Sequence, residues 1–533
     1  MTVLLRTTNN LPDSKNYDHW FSITGSKVSL CSEKMLPNLA VRLEQAFDSI
    51  APIWWQIANT IGKTPSGEYS YALVCSPIAS DFGLMLAWNQ LALELTQEQP
   101  TTLIICDDPW LFRQIATLSN VKTGQKPPVW PLRMKGGLRG FVSRFQLAIR
   151  LSLTSLRLRT QRNTQVGSGA FILVYGHPKS TADGYDAYFG DLMCQMPTLN
   201  RLLHTDCQLG KVRELSLDGR TTSLHAWGDF WRPFQLLFVR WRPSHGDCAG
   251  EFGWLIRRAA VIEGSGGAHA MTAWTKHCLQ NWIQKVHPER IAWPWENLPW
   301  ERLLVKMTRH KGVKSLGYQH ADVGPHQYNM SISSNSGGLD DIPDRIILNG
   351  NAYKDQLLRW GLPESRTVVG GAFRTAPVTN VKFDPEGPVF VALSGLLPVA
   401  REMLKAASNA QKGGILFLIK EHPMYPIRFK NSHFMQRTDK SLSEIKSARA
   451  VLYGTGMSGL EGLLAGLPTY RLLLEDRICV NTLPEQYCGN SVTASDLVKI
   501  LKNPETAERI NWHDLFSPID ISIWQDILMP KNK

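Results

Sequence analysis

The stretch GTGMSGLEGLLAGLP (454–468) decides the reading of the fold. It follows the apolar run ARAVLY (448–453), so a buried strand enters a Gly-rich turn and the turn opens a helix. Strand, tight turn and helix in that order are the unit of a parallel α/β sheet. Gly454 and Gly456 let the backbone come close to a ligand. The free N–H groups and the positive end of the helix then favour a phosphate. Thr455 and Ser458 can add hydroxyl donors, and Glu461 lies where it could accept from ribose hydroxyls. The plainer alternative is a structural turn in which Ser458 caps the helix.

The same pattern runs outward on both sides. PVFVALSG (388–395) and GILFLIKEHP (414–423) read as strands, VAREMLKAASNA (399–410) as the helix between them, and TYRLLLED (469–476) as a further strand. Ligands of open α/β sheets bind at the carboxyl ends of the strands. Ser394–Gly395 lie at one such end, and Lys420, Glu421 and His422 at another. His422 can donate to a phosphate oxygen, Lys420 can supply charge, and Pro423 stiffens the loop. The expectation is that the loops around 422 and 455–458 leave neighbouring strands and converge on one anionic group. TAPVTNVKFDPEGP (375–388) reads as the linker before this lobe. The lobe is placed at 384–510, with a C-terminal tail helix over 511–533.

The half before the linker also alternates strands and helices. YALVCSPI (71–78) and TTLIICDDPW (101–110) flank the helical DFGLMLAWNQLALELTQ (81–97), which predicts a βαβ unit with a parallel pair. FILVYGHP (171–178), DRIILNG (344–350) and TVVGGAFR (367–374) are further strands, and NAYKDQLLRWGLP (351–363) is a helix ended by Gly361. Residues 180–290 read as helices and loops. Residues 1–375 are expected to form one Rossmann-like lobe.

Within that half, IAWPWENLPWE (291–301) and GYQHADVGPH (317–326) place Glu296, Glu301, His320, Asp322 and His326 among Trp rings. A carboxylate in such a setting can have a raised pKa and act as acid or base. Glu296 and His320 follow different strands and could meet in one cleft, so they are the candidate catalytic pair. Glu301 reads as a capping or surface residue.

The chain has 533 residues and a formal net charge of +12, which favours an anionic partner without choosing it. From Arg133 to Arg162 there are eight Arg or Lys and no Asp or Glu. Apolar residues recur there at helical spacing, so 131–165 reads as an amphipathic insertion able to lie on an anionic membrane. Arg144, Arg150, Arg157 and Arg159 are its expected membrane contacts; a solvated basic helix is the alternative. Aromatic interleaving is too thin for a single-strand nucleic-acid platform, so no nucleic-acid partner is expected. The 9 Cys are scattered singly, without a CxxC pair, which argues against a zinc site or disulfide framework and for a reducing cytosol. No apolar run is long enough to span a bilayer.

Taken in order, ENLPWE, GYQH, PDRIILNG, VVGGAFR, KEHP and GTGMSGLEGLLAGLP resemble bacterial surface-carbohydrate biosynthesis glycosyltransferases of the GT-B type, related to transferases of Kdo and other ulosonic acids. The resemblance covers roughly residues 250–475. The HP dipeptide and the Ser/Thr loop are similar to CMP-binding motifs of bacterial sialyltransferases and capsule enzymes. What this implies is a pair of Rossmann-like lobes facing a cleft, a CMP-activated ulosonic acid as donor, and a glycan or lipid-linked glycan as acceptor. His422, Thr455 and Ser458 would bind the CMP phosphate, with no metal and no cofactor beyond the donor. No convincing DxD pair is present: Asp107–Asp108 are merely adjacent, and Asp340–Asp341 precede a Pro. A UDP- or GDP-hexose transferase, and a non-catalytic assembly protein binding nucleic acid or membrane through the basic stretch, are the alternatives.

Overall fold

The computed structural model describes residues 2–23, 28, 30–69, 77–163, 168–377, 380–422, 425–505 and 508–529. Its main strands are short apolar runs with every side chain buried, such as Ala170–Val174, Val389–Ala392 and Ala450–Tyr453. Strands buried on both faces are what a parallel sheet covered by helices requires.

The C-terminal sheet has six parallel strands. Counted along the chain from Val389–Ala392, their spatial order is 3-2-1-4-5-6. That is the Rossmann order, and its direction reverses between the first strand and the fourth, Ala450–Tyr453. The central sheet has seven parallel strands between Ala170 and Val369, ordered 3-2-1-4-5-6-7 on the same count. Its reversal falls between Ala170–Val174 and Arg290–Pro294. Both Rossmann-like lobes are therefore present, each with one crevice at its carboxyl edge.

Two expectations are corrected, and a third falls outside the described residues. Residues 1–375 hold two sheets, because Val3–Arg6, His19–Ser22, Thr102–Ile105 and Val121–Thr123 form a separate four-stranded parallel sheet. Within it Thr102–Ile105 takes Val3–Arg6 and His19–Ser22 as its two neighbours. The strand read over 71–78 lies, except for Pro77 and Ile78, outside the described residues. Residues 180–290 also contain two strands, Asn200–Leu203 and Thr221–Ser223. Their runs, NRLL and TTS, are too short and too polar to stand out from loop.

The three units are tied together at His326. Its Nδ1 accepts from the Asn481 N–H at 2.9 Å, and its Nε2 lies 2.7 Å from Asp48 Oδ1. The tail helix Ile521–Leu528 returns to the central sheet. Trp524 is buried there against Phe189, Tyr318 and Phe373, and its indole N–H donates to Gly370 O at 3.0 Å. The basic segment is a helix, Trp130–Leu158, continued by the short turn Arg159–Asn163. Among the described residues no helix is long and apolar enough to cross a membrane.

Candidate functional site

The carboxyl edges of the two Rossmann-like sheets face a shared cavity of about 340 Å³. From the central lobe it is lined by Trp295, Glu296, Asp322 and Asn329, and from the C-terminal lobe by Thr455, Gly456 and Thr482. Glu296 follows the strand Arg290–Pro294, and Thr455 follows Ala450–Tyr453. Both strands bound their sheet's reversal, so each lobe offers its own crevice to the cavity. Gly456 has φ +121°, a left-handed backbone open to glycine, and this turns the loop into the cavity.

Four polar atoms of residues lining this cavity are buried without a hydrogen-bond partner: Asp322 Oδ2, Asn329 Oδ1, Thr455 Oγ1 and Thr482 Oγ1. Buried polar atoms are seldom left unpaired, so a cluster of them marks a place where a ligand completes the bonding. The lining residues include no Lys, Arg or His. Acceptor oxygens without cations suit a hydroxyl-rich, uncharged group.

Glu296 and His320 are brought together, with His320 Nε2 3.3 Å from Glu296 Oε1. Arg374, which sequence reasoning missed, donates to His320 Nδ1 at 3.0 Å. With Nδ1 accepting, the neutral ring carries its proton on Nε2, toward Glu296. Burial lowers the His320 pKa, the Arg374 charge acts the same way, and Glu296 opposes both. Tyr188 backs the group: Arg374 lies 4.9 Å over its ring, and His320 meets it edge-on at 5.2 Å. With Arg374 on Nδ1, His320 turns its Nε2 toward the Glu296 carboxylate, an arrangement in which that carboxylate can accept a proton and His320 can hold it in place.

Glu301 is buried and is no surface residue. It accepts from the Trp293 indole N–H at 2.9 Å and from the backbone N–H groups of Glu296 and Asn297 at 3.1 Å. Its capping role is thus to hold the loop that presents Glu296. Burial first, and the Glu296 charge second, push its pKa up to about 8. A carboxyl raised in the fold stabilises it fully below its ordinary value of 4.5 and loses that contribution as pH rises through about 8. Stability is therefore expected to fall by a few kcal/mol between pH 5 and about 8.5. Glu301→Gln, which mimics the protonated acid, is expected to flatten that fall in calorimetric melts; an unchanged pH dependence would place the titrating group elsewhere. Asp322 is raised to about 7, mainly by burial and next by Glu461, and acts in the same direction.

The remaining candidates lie along the C-terminal sheet's edge. A Cβ on Gly395 would come 3.2 Å from the His422 ring, so these two touch. Ser394 is buried and accepts from the Leu396 N–H at 3.1 Å, and it packs beside Gly454. The strands bearing His422 and Thr455 are not neighbours, because Val389–Ala392 lies between them. The two loops flank Ser394–Gly395 on one edge, which corrects the expectation of adjacent strands. His422 is half-buried and stacks on Tyr425 at 5.4 Å, and burial lowers its pKa. Lys420 Nζ donates to Asp439 O at 2.6 Å and still acts electrostatically on Glu461. Burial raises the pKa of Glu461. Ser458 begins the helix Ser458–Leu464 and is not its cap residue, which is Met457. Pro423 lies outside the described residues.

Of the four expected membrane contacts, Arg150, Arg157 and Arg159 are exposed. Arg144 is buried, donating to Leu237 O and Ser265 O, which removes it from any bilayer. Among the described residues no group of His, Cys, Asp and Glu is placed to hold a metal ion. Asp108 caps the helix Pro109–Ile115 and pairs with Arg258 at 2.6 Å.

No protein-family model and no curated protein matches this chain. Solved structures similar to it include the UDP-GlcNAc 2-epimerase from Methanocaldococcus jannaschii, at 11% identity over 65% of this chain and 95% of that one, with TM-score 0.36. The glycosyltransferase SnogD from Streptomyces nogalater is 10% identical over 64% of this chain and 91% of its own, with TM-score 0.32. The kitacinnamycin glycotransferase is 9% identical over 64% and 92%, with TM-score 0.35. Likenesses this distant carry no weight for chemistry.

Proposed function

We propose that this chain is a glycosyltransferase that moves a sugar from a nucleotide donor to a glycan or lipid-linked glycan acceptor in surface-polysaccharide synthesis. The observation that carries the reading is the interlobe cavity, where Asp322, Asn329, Thr455 and Thr482 present unpartnered polar atoms beside Glu296. A sugar ring is a ligand rich enough in hydroxyls to satisfy them. The nucleotide would lie along Ser394–Gly395, His422 and Thr455–Ser458, at the reversal of the C-terminal sheet. Glu296 would take the proton of the acceptor hydroxyl as that oxygen bonds to the anomeric carbon. The nucleotide leaves with the pair of electrons of the broken C–O bond. Donors along the 394–395 and 454–458 loops would stabilise its phosphate.

Two donor classes fit this frame. The HP and Ser/Thr motifs resemble those of CMP-ulosonic acid transferases. The lining of the cavity, two carboxylates and no cation, favours an uncharged hexose on UDP or GDP instead. Thermal shifts with CMP, UDP and GDP separate the two. We expect one nucleotide to raise the melting temperature, and Gly395→Val, whose side chain would press on His422, to abolish the shift. A shift with CMP alone selects the ulosonic acid, and a shift with UDP or GDP alone selects the hexose. No shift with any of them, or a shift that survives Gly395→Val, refutes the nucleotide site. The basic helix supports work at an anionic membrane surface inside the cell.

A further inference from the structure

A second pocket, of about 440 Å³, lies between the basic helix Trp130–Leu158 and the carboxyl edge of the central sheet. Tyr175 enters it just beyond the strand Ala170–Val174, and His204 just beyond Asn200–Leu203. Trp300 lies 4.6 Å from His204 and 6.3 Å, edge-on, from Tyr175, so three rings form one wall. Leu298 lines both this pocket and the interlobe cavity, which makes them neighbours.

The polar features of the pocket point to an anion. His204 is 3% exposed and its Nε2 is buried with no hydrogen-bond partner, while Nδ1 lies 3.3 Å from Asp206 Oδ2. Nδ1 accepts from the Asp206 backbone N–H at 3.3 Å, so a ligand oxygen that accepts from Nε2–H would give that buried atom the partner it lacks. The 20-residue helix Gly267–Val286 opens on the same pocket, with Gly266 before it and no side-chain cap. Its first N–H groups and its dipole favour negative charge. Arg150 reaches in from the basic helix. Donors arriving from several directions match the oxygens of a phosphate, and the ring wall matches a sugar beside it.

The outer face of the basic helix carries exposed apolar side chains among its arginines. Of the nineteen exposed large hydrophobic side chains among the described residues, fourteen lie on Trp130–Leu156 or on Phe230–Phe238, which packs against that helix. Residues 130–163 and 230–246 contain no Asp or Glu, whereas Arg133, Arg139, Arg157 and Arg232 interleave with the apolar residues. Aromatic and aliphatic side chains among cations suit an anionic bilayer surface. Two copies of so basic a face would repel each other.

We infer that this pocket receives the phosphorylated head of a lipid-borne substrate, presented to it by a bilayer resting on the 130–156 and 230–238 face. That the lipid is the acceptor rests on the transferase reading; the binding does not. The test uses the full chain without nucleotide, sedimented with phosphatidylcholine vesicles containing either phosphatidic acid or phosphatidylserine. The wild-type chain is expected to bind phosphatidic acid several-fold more tightly, and glucose 1-phosphate to compete away only that excess. Phe145→Ser with Phe238→Ser, both exposed, is expected to weaken binding to both vesicles about tenfold. His204→Ala, and separately the exposed Arg150→Gln, are expected to erase the preference for phosphatidic acid while binding to phosphatidylserine persists. Equal binding of the two lipids by the wild type, or a preference that survives both pocket variants, overturns the pocket. Vesicle binding indifferent to the Phe substitutions overturns the bilayer, and a dimer lost on those substitutions assigns the face to a second copy. Tight binding of glucose 1-phosphate without any vesicle binding would make the ligand a soluble sugar phosphate and refute the lipid. Nucleotide thermal shifts, read separately, are unaffected by any of these outcomes.

Discussion

Replacing Glu296 with Gln is expected to lower sugar transfer by about 10²- to 10⁴-fold, the range a positioned general base supplies. The change should leave nucleotide shifts and stability nearly unaltered. Glu296 is 42% exposed, so its carboxylate carries little of the fold, and its backbone stays anchored by Glu301. Gln keeps the shape and the contact with His320 but cannot take a proton. His320→Gln is expected to cost less, about tenfold, because His320 acts through Glu296 and Gln can still donate toward it. The two substitutions together should be scarcely worse than Glu296→Gln alone, since they remove parts of one device. Glu296→Gln retaining more than a third of wild-type activity would move the base elsewhere. If His320→Gln proved the more damaging change, His320 itself would be the base and the tautomer assigned from Arg374 would be wrong.

The C-terminal lobe was legible in the sequence because its strands are uninterrupted apolar runs closed by glycine, and VFVA, AVLY and TYRLL all became strands. What the sequence concealed was spatial order. In the sequence the strand before His422 and that before Thr455 read as consecutive, while the Rossmann order sets Val389–Ala392 between them. The separate first sheet was hidden for a similar reason: Val3–Arg6 and His19–Ser22 are four-residue strands whose partner lies some hundred residues on, at Thr102–Ile105. In the site, Glu296 and His320 stood out as polar groups among Trp residues. Arg374 did not, because it follows a short half-buried strand and gains meaning only from the His320 it touches. Arg144 shows the converse: its spacing puts it among the basic residues of the helix, but Leu237 and Ser265 from distant segments bury it.

The largest expected loss of stability comes from Arg201, a charged residue with no exposed surface. Its guanidinium lies 3.2 Å from Asp218 Oδ2 and 3.7 Å from Asp186 Oδ2, and donates to Thr221 Oγ1 at 2.9 Å and Thr181 O at 3.0 Å. Arg201→Met preserves much of the volume and leaves two carboxylates buried without their cation, which is expected to cost about 3–5 kcal/mol. Burial already raises the Asp186 pKa, with Arg201 opposing it, so without Arg201 it rises further. A raised carboxyl favours the fold at low pH, and the deficit of the variant should therefore shrink on acidification and grow above neutrality. Adding Asp186→Asn should restore part of the loss, since its amide oxygen can still accept from the Tyr188 N–H, now 2.9 Å from Asp186 Oδ1. That turn carries Tyr188, the ring behind Arg374 and His320, so the loss reaches the site. At temperatures where Arg201→Met is still folded, transfer is expected to fall as the His320 support loosens, and to recover in the double variant. Calorimetry at pH 5.5 and about 8, beside transfer rates, checks both parts. A deficit independent of pH, or a double variant no better than the single one, would mean that Arg201 stabilises the fold through packing alone.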